Sequence, residues 1–129
     1  MQDVTDLNVY QHSMRLLDEI NNFLDKLPKK DYDLYSQILR SARSIPALLA
    51  EGFAKKSSQR EFRHFVIMAM GSSDELITHL RISKADTQLI EEYKVVSKQL
   101  NRLAQVLSEN SAAKKLLDKI INKDPISDI

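Results

Sequence analysis

Apolar residues recur at three- and four-residue intervals along almost the whole chain, the spacing of one face of an α-helix. Leu7, Tyr10, Met14, Leu17, Leu24 and Leu27 mark a first stripe, which Ile20 and Phe23 widen. Pro28 and the polar run Lys29, Lys30, Asp31 end it. Leu34, Ile38, Ala42, Ile45, Leu49 and Phe53 mark a second stripe, closed by Lys55 to Ser58. Ser58 followed by Glu61 predicts a capping box, in which the hydroxyl accepts from a first-turn amide and the carboxylate reaches back. The inward set of the third helix is then Phe62, Phe65, Val66, Ala69, Ser73, Leu76 and Leu80. Asp86 or Thr87 caps a fourth helix, whose Leu89, Tyr93, Val96, Leu100, Leu103 and Leu107 stand close to a heptad seam. The pattern weakens over Ser108 to Ser111 and resumes at Leu116, Leu117, Ile120 and Ile121, as a continuation of the fourth helix or as a short separate one.

These stripes predict helices over about 5–27, 32–55, 59–84 and 87–108, with a helical tail over about 111–122. Helices of roughly 20–25 residues are about 30–38 Å long, and short connections make sequential neighbours antiparallel. The fold expected is all-α: an up-down-up-down four-helix bundle over 1–129, a single domain. Pro46 falls inside the second helix, where it deprives the Ala42 carbonyl of its amide partner and predicts a kink.

Composition narrows the class. Two glycines and three prolines are too little turn chemistry for a meander of short strands. There is no cysteine, which removes disulfides, thiolate metal sites and Cys nucleophiles together and agrees with a reducing compartment. The N-terminal MQDVTDLN lacks the basic start and apolar core of a leader peptide, and the longest apolar run, Phe65 to Met70, is too short to span a bilayer. A cytoplasmic location without membrane association is expected.

The net charge is only +1, yet it is unevenly spread. Residues 1–28 hold two basic and five acidic groups, residues 29–63 eight and four, and residues 64–129 nine and nine, giving local balances of −3, +4 and 0. Arg40 and Arg43 lie one turn apart on the second helix, while Lys55, Lys56, Arg60 and Arg63 gather around the second-to-third connection. These six are the candidate phosphate contacts for RNA or DNA. The same residues also read as a solvated helix corner, since no aromatic side chains interleave with them to stack bases.

Other constellations are incomplete. Glu61 and His64 form the E-x-x-H half-motif of bundle di-iron centres, but neither His12 nor His79 follows a Glu at that spacing. Glu75 and His79, four apart, read as an ordinary helix pair. Ser72, Ser73 and Asp74 have no glycine-bounded elbow and no paired base. No catalytic residue, metal site or cofactor is expected. Gly52 and Gly71 each cost about 1 kcal/mol relative to Ala inside a helix, which suggests close approach of another backbone, within the bundle or across a subunit boundary. Leu39, Leu48, Ile67, Met70, Ile77 and Ile82 fall outside the main stripes and suggest a contact surface, or simply wide stripes.

The string SIPALLAEG, Ser44 to Gly52, resembles the signature of the four-helix bundle proteins encoded in intervening sequences of bacterial 23S ribosomal RNA genes. Ser57, the pairs Glu61–Phe62, Gly71–Ser72 and Glu75–Leu76, and Phe65 and Ala69 stand at the offsets of that family, so roughly a third of the chain carries the likeness. Two positions depart from it: Leu48 stands where Asn is common, and Leu39 where a basic residue is common. The resemblance implies antiparallel bundles assembled as homo-oligomeric rings, typically pentamers, without enzymatic activity. A related group serves retroelement reverse transcriptases as accessory factors, and nucleic-acid binding is implied. The function expected is therefore a non-enzymatic oligomer that binds RNA or another nucleic acid through the basic corner. The alternative is a scaffold that recruits a protein partner and has no nucleic-acid role.

Overall fold

Among its described residues the chain forms four helices, α1 (Asn8–Leu24), α2 (Tyr32–Ala54), α3 (Gln59–Ile82) and α4 (Thr87–Val106), with short 3-10 turns at Val4–Asp6 and Lys29–Asp31. This computed structural model describes residues 3–108 and Lys119, and no strand occurs among them. Apart from Lys119, the predicted tail over 111–122 lies outside the described residues.

The first helix is shorter than its apolar stripe at both ends. The Asp3 carboxylate accepts from the Thr5 amide at 3.0 Å, and the Asp6 carboxylate accepts from the Asp3 amide at 3.1 Å. This reciprocal box closes a separate turn, after which Leu7 is extended and α1 begins. At the far end the amides of Lys26 and Leu27 donate to carbonyls three residues back, and the extended Pro28 stops the winding.

The inward face of α1 is also rotated from the predicted one. Val9, His12, Ser13, Leu16, Ile20 and Leu24 are buried, whereas Met14 is 44% exposed and Tyr10, Leu17, Phe23 and Leu27 are only partly covered. Two polar residues on the buried face shift the apolar count. His12 Nδ1 lies 2.8 Å from Gln99 Oε1 and its Nε2 2.8 Å from Glu92 Oε2, both on α4, while the Ser13 hydroxyl donates to the Tyr10 carbonyl at 2.9 Å. Pairing of this kind is what makes burial of polar groups affordable.

In α2 the residues Ile38, Ala42, Ile45, Leu49 and Phe53 are buried, and the helix runs on through Pro46. Ser58 caps α3, its hydroxyl accepting from the Glu61 amide at 3.2 Å. The predicted return bond is absent: the Ser58 amide donates instead to the Lys55 carbonyl at 2.9 Å, which leaves the Glu61 carboxylate at the surface. At the other end Lys84 adopts a left-handed φ of 57°, the Ala85 amide reaches the Leu80 carbonyl at 2.9 Å and the Lys84 amide reaches that of Arg81 at 3.1 Å. That is a Schellman stop built without glycine. Asp86, rather than Thr87, caps α4 by accepting from the Gln88 amide at 2.9 Å.

Each helix has two neighbours: α1 packs on α2 and α4, and α3 packs on α2 and α4. Side-chain contacts give directions. Gln59, Arg63 and Ser73 of α3 meet Ser108, Ala104 and Ser97 respectively, so α3 and α4 run antiparallel. Gly52 lies against Phe62 and Phe65 while Arg40 meets Glu75, so α2 and α3 do too. Phe62, Leu76, Leu80, Tyr93 and Leu100 fill the centre. Burial, with the Glu19 charge a lesser cause, pushes the Tyr93 hydroxyl well above the usual phenol range, and that oxygen has no hydrogen-bond partner among the described residues. Of the apolar residues outside the stripes, Ile77 is buried and Leu39, Leu48 and Met70 pack partly against the core, whereas Ile67 and Ile82 stay 42% and 62% exposed.

Candidate nucleic-acid interface

The α2–α3 corner is shaped by a missing side chain. A Cβ added at Gly52 would lie 2.8 Å from Phe65 Cβ and 3.3 Å from the Phe62 carbonyl oxygen, so the two helices approach here only because residue 52 has none. That approach places Phe65 beneath the end of α2. The Lys55 ammonium then sits 4.7 Å from the Phe65 ring centroid, and the Lys56 ammonium 4.4 Å from that of Phe53. Phe53 is in turn packed edge-on against Phe62 at 6.1 Å. Cation–π contacts of about 0.5–1 kcal/mol at exposed sites restrain two long, flexible side chains without neutralising them. The rings are occupied by lysines rather than presented to bases.

The six predicted cations separate into two groups. Lys55, Lys56 and Arg60 are exposed around the corner, and Arg60 shares a surface groove of about 570 Å³ with Lys55, Glu61, His64 and Phe65. A second groove of about 540 Å³, on the α4 side, is lined by Arg60, Arg63, His64, Ile67, Leu107 and Ser108. Arg63 is half-buried and its Nε donates to the Ala104 carbonyl at 3.1 Å, in the last turn of α4 where carbonyls lack helical donors. Gln59 does the same for the Ser108 carbonyl at 2.9 Å. Arg63 thus anchors α4 beside the corner.

Arg40 and Arg43 stand apart. They precede Lys55 by 15 and 12 residues on α2, about 18–22 Å away by helical rise. Arg40 bonds Gln37 and meets the Glu75 carboxylate at 3.1 Å, which His79 also approaches at 3.3 Å. Arg43 is exposed on the same helix.

Ser73 is fully buried, with its hydroxyl 2.7 Å from that of Ser97, which donates to Asp74 at 3.1 Å. This chain of hydroxyls joins α3 to α4 and ends on the Asp74 carboxylate. Among the described residues no three His, Asp or Glu side chains converge as metal ligands, and no helix is long and apolar enough to cross a membrane. The His12, Glu92 and Gln99 cluster escaped the sequence reading. Its one legible trace is the seven-residue interval between Glu92 and Gln99, which puts both on one side of α4.

Helix order and the composed corner define an all-α, four-helix protein whose distinguishing surface is a small cationic knuckle. The chain belongs to the family of 23S rRNA-intervening sequence proteins, whose family model matches residues 5–109. No curated protein and no solved structure matches it.

Proposed function

We propose that the protein is a non-enzymatic, self-associating bundle that binds RNA or another polyanion through Lys55, Lys56 and Arg60. The observation that carries this reading is the corner itself: exposed cations projecting from positions that core packing holds in place. Phosphate contacts of this type give affinity and register without sequence readout. Three cations are few, but self-association repeats them once per copy, and the contributions of released counterions accumulate. Arg63 supports the surface by holding α4, and Arg40 and Arg43 serve at most an extended ligand that reaches along α2.

Binding to structured RNA and to duplex DNA, measured over a salt series, should show log affinity falling linearly with log salt, with a slope of about −2 to −3 for three contacts per copy. Replacing Lys55, Lys56 and Arg60 together by Glu should abolish binding with the helical circular dichroism unchanged. Undiminished binding by that variant would overturn the assignment. The alternative scaffold reading draws on the exposed apolar groups Ile67 and Met68, 42% and 43% exposed. It predicts a copurifying protein with no nucleic acid in the preparation.

A further inference from the structure

The connection between α1 and α2, at the opposite end of α2 from the basic corner, carries an open groove of about 500 Å³. Leu24, Leu27 and Pro28 give it an apolar lining, Tyr32 and Tyr35 line it from α2, and Asp25 and Lys29 add one charge of each sign. Tyr32 is the most exposed large apolar residue among those described, at 75%, and Tyr35 is 37% exposed. An aromatic ring at the first position of a helix gains little from helix propensity, and this one gains little from the core. Its π face is left open to a ligand.

From this geometry we infer that the groove receives an unpaired base of single-stranded RNA, whose backbone lies along α2 and reaches the basic corner. The inference rests on the proposed polyanion binding and names the state of the strand. The lining selects the occupant. A base brings a flat face for the tyrosine rings and N–H donors at its edge for the Asp25 carboxylate, while the Lys29 ammonium suits the phosphate beside it. A purely apolar occupant would desolvate both charges and answer neither. In a duplex the faces are stacked and the edges paired, so only an unpaired base can enter. The exposed residues Tyr32, Ser36, Arg43, Ala47 and Ala54 form one row on α2, spaced by four, seven, four and seven, that leads from the groove to Lys55. Its length is about 35 Å by helical rise. Arg43 stands near the middle, with no ion pair among the described residues, and the serine and alanines are too small to obstruct a backbone. A strand on this row gives Arg43 a phosphate that a ligand confined to the corner could not.

The chain has four tyrosines and no tryptophan, so tyrosine emission can be read without interference. The probes are a single-stranded RNA without self-pairing and the duplex made from it, each long enough to span about 35 Å. The single strand should quench the emission, and Tyr32→Phe combined with Tyr35→Phe should remove most of that quenching while binding persists, because the flat faces remain. Tyr32→Ala should weaken single-strand binding about tenfold, with duplex binding and helical circular dichroism unchanged. Arg43→Ala should reduce the single-strand salt slope by about 0.7. Undiminished single-strand binding by Tyr32→Ala, or an equal loss for the duplex, overturns the groove and leaves the corner standing. A proline-rich peptide that binds with the same dependence on Tyr32, and that single-stranded RNA does not displace, overturns it in favour of a protein ligand. A wild type that binds neither nucleic acid overturns both readings.

Discussion

At the scale of single residues, what matters most is where a side chain is missing or misplaced by type. Gly52→Ala would push a methyl to 2.8 Å from Phe65 Cβ and 3.3 Å from backbone oxygen, neither of which is the far end of a flexible chain. The helix gains about 1 kcal/mol of propensity from Ala, but overpacking of this kind costs about 1–3 kcal/mol. The expected outcome is a lower denaturation midpoint and looser holding of Lys55, seen as weaker polyanion binding. Gly71→Ala adds its methyl to open space and should leave the isolated bundle as stable or more so. Urea titration of both variants at low protein concentration checks the pair of signs. The sequence showed two unexplained helical glycines and could not tell them apart, because propensity is local while the space around a Cβ is set by a helix elsewhere in the chain. It likewise placed Lys55, Lys56 and Arg60 at the corner, yet gave no sign that Arg63, one turn on, turns inward to the Ala104 carbonyl.

Among the elements, boundaries were legible wherever a specific cap marks them and blurred elsewhere. Ser58 stands before a run with a 3.6 period, and its hydroxyl does cap α3. The front of α1 misled because Asp3, Asp6 and Leu7 look like helix but close their own turn. The back of α3 carried no glycine to announce its stop, since Lys84 takes the left-handed conformation itself. A non-glycine residue there costs about 1 kcal/mol, part of which Gly returns through the entropy of the unfolded chain. Lys84→Gly should therefore raise stability by about 0.5 kcal/mol, a rise of a few degrees in Tm for a domain of this size. A lowered Tm in a thermal melt would show that Lys84 makes a contact worth more than its strain.

For the whole molecule, the class of fold was readable from periodicity and from scarce glycine and proline, whereas the polar contact that helps close the bundle was not. Closure between α1 and α4 is the least extensive of the four helix interfaces, and α2 against α3 the most. The polar bridge from His12 to Glu92 and Gln99 sits in that weakest seam, on a residue whose type gave periodicity no reason to place it inside. His12→Ala strands a partly buried carboxylate and amide, an expected loss of about 1–3 kcal/mol. The loss should be uneven: native-state hydrogen exchange should accelerate in α1 before it does in α2 and α3, because local opening follows the sparsest packing. Uniform acceleration across all four helices would instead mark a single cooperative unit.

The close passage of α2 over Phe65 at Gly52 has one more consequence. Since the core positions the backbone on either side of the corner, and the amides of Lys55, Lys56 and Ser58 tie the four-residue turn back to the carbonyls of Gly52, Phe53 and Lys55, the spacing of positions 55, 56 and 60 is set by backbone contacts and not by the side chains they carry. The corner is in effect a mount with exchangeable heads. Other side chains set there, whether carboxylates, aromatics or a grafted recognition group, would inherit a fixed triangular layout without the bundle having to be redesigned to display it.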